Sequence, residues 1–118
     1  MLVLIAEDDE LILKTIEHKL KKEGFEVRLT RNGQEAMELL KSENFDLLIS
    51  DIMMPFASGI EILAELKNLQ KKMPVLMLSS MGQEEIILEA FDLGAADFMV
   101  KPFSPNELII RINRLLRK

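Results

Sequence analysis

The chain has 118 residues, 48% hydrophobic and 30% charged, the size and balance of one globular domain over residues 1–118 and too apolar for a disordered chain. No apolar run approaches the roughly 18 residues of a membrane span. Zero cysteines exclude disulfides and thiolate metal sites and fit a reducing cytoplasm. With 15 basic against 20 acidic residues, a net charge of −5, the chain itself is not expected to bind nucleic acid; DNA contact would need another chain or a further domain.

The opening Met1-Leu-Val-Leu-Ile-Ala6 lacks a basic n-region and runs straight into Glu7-Asp-Asp-Glu10, so it reads as a strand, Leu2–Ala6, not a signal peptide. Asp9 or Glu10 opens a first helix with Ile12, Ile16 and Leu20 on one face and Gly24 at its C′ position. A second strand, Phe25–Thr30, alternates apolar and polar residues, as an edge strand with one wet side does. Asn32-Gly33 precedes a second helix carrying Ala36, Leu39 and Leu40. The third strand, Phe45–Ser50, is followed by a helix that Ser58 caps and that Ile62, Leu63 and Leu66 stripe, before Pro74, which cannot continue it. Strand Pro74–Leu78, helix Gly82–Leu93 stopped by Gly94, and strand Asp97–Val100 come next. Ser104-Pro105, an N-cap with proline at N1, opens a last helix running to the C-terminus.

Strict alternation of strand and helix means a parallel sheet covered on both faces, and the continuously apolar first, third and fourth strands agree. In such sheets ligands sit beyond the carboxyl ends of the strands. Glu7, Asp8, Asp9 and Glu10 follow the first strand, Asp51 the third, Ser79 and Ser80 the fourth, and Lys101-Pro102 the fifth. Asp9 and Glu10 read as helix caps or dipole partners. Glu7, Asp8 and Asp51 would converge at one rim, where two unit charges 4 Å apart repel by about 4 kcal/mol at an effective dielectric near 20. Such a cluster calls for a cation, and an all-oxygen ligand set favours Mg²⁺ over Ca²⁺. A magnesium site beside a lysine and a hydroxyl is suited to phosphoryl chemistry.

At these residues the chain resembles the receiver domain of two-component response regulators. Glu7 and Asp8 match the family's acidic pair and Asp51 its phospho-acceptor. Met54-Pro55 with Gly59 match the stretch after it. Ser79 matches the switch hydroxyl, Gly94-Ala95 and Asp97 the stretch before the conserved lysine, Phe98 the aromatic switch position, and Lys101-Pro102-Phe103 the Lys-Pro-Phe signature. The resemblance implies a flavodoxin-like (βα)5 fold with strand order 2-1-3-4-5 and a cis Lys101–Pro102 bond. It implies Mg²⁺ held by Asp8, Asp51 and the Met53 carbonyl, with Glu7 acting mostly through a water. It further implies transfer of a phosphoryl group from a sensor histidine kinase to Asp51, with Lys101 neutralising charge. Ser79 would then bind a phosphoryl oxygen and Phe98 would rotate inward. On this reading the chain is a switch and not an enzyme, catalysing only its own phosphorylation and dephosphorylation.

Rival readings stand beside it. A Mg²⁺-dependent phosphohydrolase with Asp51 as nucleophile would want an acid two residues on, where Met53 stands and cannot transfer a proton. A flavin or nucleotide module would want a Gly- or Ser/Thr-rich loop after the first strand, where four acids would repel phosphate. A degenerate receiver acting as an interaction module would lack key residues, and none is missing here. His18 points away from the first helix's apolar stripe and reads as a surface histidine.

Two expectations concern behaviour. On the fourth helix Ile86, Ile87, Leu88, Ala90, Phe91 and Leu93 span more than one buried face needs, and on the last helix Ile110 stands off the stripe of Leu108, Ile109, Ile112, Leu115 and Leu116. These leftovers predict an apolar output face on the fourth helix, fifth strand and fifth helix, with a homodimer as one use. The segment Lys101–Leu108 resembles the winged-helix transcription-regulator subgroup, whose members continue into a DNA-binding domain and pair there through charges. Asp97, Glu107 and Arg111 match that network. Ile87 stands where a basic residue is frequent and Ala96 where Asp is, so a more apolar contact is expected, with Glu107 and Arg111 pairing at i,i+4. Most of the eight methionines read as core filler, but Met53 and Met81 should flank the phosphoryl group. Thioethers do not orient an attacking water, so slow autodephosphorylation follows.

Overall fold

The computed structural model describes residues 1–117. The elements are β1 (Leu2–Ala6), α1 (Glu10–Lys22), β2 (Glu26–Thr30), α2 (Gly33–Ser42), β3 (Leu47–Asp51), α3 (Gly59–Asn68), β4 (Val75–Ser79), α4 (Glu84–Asp92), β5 (Asp97–Val100) and α5 (Pro105–Leu116). The strands are all parallel, in order β2-β1-β3-β4-β5. Successive strand side chains point to opposite faces, and the core divides accordingly. Val3, Ile5, Leu47, Ile49, Leu76 and Leu78 pack under α1 and α5. Leu4, Ala6, Leu48, Val75 and Met77 pack under α2, α3 and α4. Burial of each large side chain is worth about 1.5–3 kcal/mol. β3 and β4 are buried along their whole length, whereas β2 alternates exposed and half-buried positions, as an edge strand should.

Local signals fix the helix ends. Asp9 Oδ1 accepts from the backbone N–H groups of Leu11 and Ile12, and Asn32, Ser58 and Ser104 cap α2, α3 and α5 in the same way. Gly24 (φ +92°) ends α1 with paired bonds from Gly24 N to Lys21 O and Phe25 N to Leu20 O, the two bonds of a Schellman cap. Gly94 (φ +107°) ends α4 identically.

Several sequence expectations shift. The buried stripe of α1 is Leu13, Ile16 and Leu20, with Ile12 only half-buried. α3 ends before Pro74, at a Schellman cap with Gln70 at φ +55°. α4 starts at Glu84, because Gly82 takes φ +86° and falls outside the helix. β3 begins two residues later than Phe45, which is already buried in the core, and takes in Asp51 as its last residue. Pro74 has no N–H to give the ladder and only accepts from Leu48, so β4 starts at Val75 and reaches Ser79. Ile87, expected on the output face, turns inward and is buried, because α4 rotates Ile87 and Ala90 toward the sheet. The C-terminal Lys118 lies outside the described residues.

One contact ties a neighbouring helix to the loop after β3. A Cβ on Gly33 would lie 1.9 Å from the Ala57 carbonyl oxygen and 2.6 Å from its carbon, so backbone, not a flexible side chain, blocks any larger residue. Gly33→Ala should therefore destabilise the fold by about 1–3 kcal/mol, read as a lower urea midpoint at unchanged slope.

Candidate functional site

Four strand ends supply the site. Glu7 follows β1 and is wholly buried. Its backbone N–H donates to Thr30 O, its Oε2 accepts from the Asp9 N–H, and its Oε1 lies 2.8 Å from Lys101 Nζ. Asp51 closes β3, nearly buried; its Oδ1 accepts from the Met53 N–H at 3.3 Å and its Oδ2 from Lys101 Nζ at 2.7 Å. Asp8 is exposed at the rim, and carboxylate oxygens of Glu7, Asp8 and Asp51 all come within 4.8 Å of one another. Lys101 directly follows β5 and is joined to Pro102 by a cis bond.

Ser79 ends β4, and its buried Oγ has no hydrogen-bond partner among the described residues. An unpaired buried hydroxyl costs about 1–3 kcal/mol, which an acceptor placed beside it would recover. Ser80 gives its N–H to Gln83 Oε1 at 2.6 Å. Gly59 lets α3 start against the end of β3: a Cβ there would sit 2.8 Å from the Asp51 carbonyl oxygen.

The structure also puts Glu7 in direct contact with Lys101, a pairing that the sequence did not signal. Asp9 serves as a cap, as expected, and Glu10 pairs with Arg31. His18 is exposed. Away from the acids, Phe98 is half-buried and packs edge-on against Phe91, centroids 5.8 Å apart. With Met81, Ile87, Leu88 and Val100 the pair lines a groove of about 670 Å³ between α4 and β5. Arg111 donates to both Asp97 oxygens at 3.0 and 3.1 Å and to Glu107 at 3.1 Å, so the expected i,i+4 pair becomes a three-residue cluster joining β5 to α5. Ile110 is 66% exposed.

Sequence reading missed Phe56. It sits at φ +71° and is 80% exposed, in a tight turn closed by the Ala57 N–H on Pro55 O. This is the γ-turn form with positive φ, strained for a bulky residue; only the preceding proline hinted at a turn.

Electrostatics follow from the crowding. Burial is the main cause that pushes the Glu7 carboxyl up, to about 7; contacts with Lys101 and the Asp9 N–H pull it down, and the Asp51 charge pushes it up again. Burial pulls the Lys101 ammonium down, but Asp51 and Glu7 outweigh it and hold it above the ordinary lysine range. The donor set is all carboxylate with one lysine, which fits a hard divalent cation. Because the folded state raises the Glu7 pKa from 4.5 to about 7, it holds a proton there that the unfolded chain has lost. Metal-free stability should accordingly fall as pH rises between those values. A divalent cation held among these carboxylates would favour the ionised form of Glu7, so Mg²⁺ affinity should rise with pH between 6 and 8, by about tenfold at most. Calorimetric titration at the two pH values measures this, and Glu7→Gln should flatten the difference.

Known proteins resemble this chain in sequence and in fold. Residues 3–113 match the family model described as the response regulator receiver domain. The transcriptional regulatory protein SrrA of Staphylococcus aureus is 38% identical over 116 residues, covering 98% of this chain and 48% of its own length; the chain thus spans about half the length of the curated relatives it matches. The receiver domain of the Francisella response regulator 1452 superposes with a TM-score of 0.91 at 36% identity, covering 98% of this chain and 96% of that one. The chemotaxis response regulator CheY4 of Vibrio cholerae gives 0.90 at 32%, covering 98% of each. The chain belongs to the response regulator receiver domain family.

Proposed function

We propose that residues 1–118 form a phosphorylation-activated switch in which Asp51 takes a phosphoryl group from the phosphohistidine of a sensor histidine kinase. The observation that carries this is the buried Asp51 carboxylate gripped by Lys101 at 2.7 Å, beside two further acids and an unpaired hydroxyl on Ser79. A carboxylate oxygen attacks phosphorus as the N–P bond breaks and the electron pair leaves with the imidazole. Mg²⁺ held by Asp8, Asp51 and the Met53 carbonyl, with Glu7 behind them, would offset the charge on the phosphoryl oxygens. Lys101 neutralises a second oxygen and Ser79 donates a hydrogen bond to a third. The chain catalyses only its own phosphorylation and dephosphorylation.

Two features argue against a phosphohydrolase. Met53 cannot serve as a general acid, and Met53 and Met81 leave water unoriented, which favours a phosphoryl group lasting minutes. A cytoplasmic location suits a cysteine-free chain, and the net charge of −5 argues against direct nucleic-acid contact by this chain. No helix among the described residues is long and apolar enough to cross a membrane.

Incubation with acetyl phosphate and Mg²⁺, read by intact mass, should add one phosphoryl group that persists for minutes after donor removal, and Asp51→Asn should add none. Turnover of many equivalents would instead mark a hydrolase.

The output surface on this reading is the face of α4, β5 and α5. Leu88, Phe91, Val100 and Ile110 are exposed there, while Asp97, Glu107 and Arg111 satisfy one another within the chain. Apolar contact, and not a charged lattice, would then join two phosphorylated copies. Sedimentation at high micromolar concentration should show phosphorylation-dependent dimers that Phe91→Asp or Ile110→Asp abolishes; a strictly monomeric phosphoprotein counts against this surface.

A further inference from the structure

The exposed methionines divide between the two ends of the sheet. Met1, 56% exposed, precedes β1; Met53 (53%) and Met81 (83%) stand two residues beyond Asp51 and Ser79. β3 and β4 are paired, with Asp51 in register with Leu78, so Met53 and Met81 lie on adjacent loops at the carboxyl end of the sheet. The Met53 N–H is itself bonded to Asp51 Oδ1. Met77 and Met99 are buried, and Met37, Met54 and Met73 are half-buried against the core. The loops that follow Asp51 and Ser79 therefore each carry an open thioether that the transfer chemistry does not use, Met81 on the loop that also borders the groove between α4 and β5.

We propose that Met53 and Met81 form a peroxide-sensitive modification site that sets the lifetime of phosphorylated Asp51; this rests on the receiver reading above. Each sulfur gives two electrons to hydrogen peroxide: the O–O bond breaks, one oxygen stays on sulfur as the sulfoxide, and the other leaves as water. Loss of an acyl phosphate needs water in line with the bond that breaks. A thioether is a weak acceptor and leaves that water unplaced, while a sulfoxide on the same stem is polar and holds it by a hydrogen bond. Oxidation thus converts an apolar collar into a water-positioning one and shortens the signal, and reduction of the sulfoxide restores it. Exposure alone does not confer the effect, because Met1 is as open as Met53 but sits at the other end of the sheet.

The test treats the protein with hydrogen peroxide, maps oxidation by peptide mass, then phosphorylates with acetyl phosphate and Mg²⁺ and follows decay after donor removal. Met1, Met53 and Met81 should gain oxygen before Met77 and Met99. The oxidised wild type should lose its phosphoryl group about threefold faster or more than untreated protein. The Met53→Leu, Met81→Leu double variant, compared with itself before and after peroxide, should not change although Met1 still oxidises. Unchanged or slower decay in the oxidised wild type, or equal acceleration in the double variant, overturns the proposal. An untreated protein that takes no phosphoryl group from acetyl phosphate fails earlier, at the receiver reading, and removes the basis of the inference with it.

Discussion

The ammonium of Lys101, set between Glu7 and Asp51, is the interaction on which the arrangement depends. Buried carboxylates a few ångströms apart repel by several kcal/mol even at a generous effective dielectric, so the β1 and β3 ends share one rim only if positive charge meets them. The strand order places β5 two strands from β3, about 10 Å at ordinary spacing. The Lys101 side chain, its hydrogen bond and the Asp51 side chain together span that gap over the end of β4, and the β4 terminus must be small for the lysine to pass. Ser79 is small, and its hydroxyl has spent no bond on the protein. Acids, lysine and serine are thus one solution to a single electrostatic and steric constraint, and one lysine offsets only part of the charge of three acids.

The same constraint explains why the site was legible in the sequence. Each residue ends an apolar run, and a parallel sheet brings such ends together whatever the details of packing. The two-layer core was legible too, since strands with no polar alternation must be covered on both sides. What escaped the sequence depends on rotation and on backbone conformations without a marker. Periodicity showed that Ile110 stands outside and that α4 carries more apolar residues than one face buries, but not that Ile87 faces inward while Leu88 remains outside. Gln70 caps α3 in a conformation usually signalled by glycine, so no residue type announced it. Likewise, direct contact between Glu7 and Lys101 depends on how deeply Glu7 sinks, and that is fixed by its own N–H donating to Thr30 O and by the Asp9 N–H donating to its Oε2.

The two sides of the site are held unequally, and this gives a phosphoryl group a direction in which to act. On the α2–α3 side, Gly33 is pressed against Ala57 and Gly59 against the Asp51 backbone, with no room for either to move inward. Lys71 adds hydrogen bonds to Leu40 O and Glu43 O that fasten the far end of α2. On the other side, the loop after Ser79 reaches α4 through one exposed bond from Ser80 to Gln83, and α4 has no side-chain N-cap. A missing cap is worth about 1 kcal/mol, so α4 starts less firmly than the other four helices.

A new acceptor at Asp51 that draws Ser79 inward therefore meets little resistance from the β4–α4 loop and much from the β3–α3 loop. Displacement of that loop opens or closes the groove floored by Phe91 and Phe98. Beyond it, Arg111 ties Asp97 at the start of β5 to α5, so a shift of β5 is shared with α5 and not absorbed between them. On the proposed reading, coupling would follow from this stiffness difference, with the packing of the two phenylalanines as the element that both sites would bias.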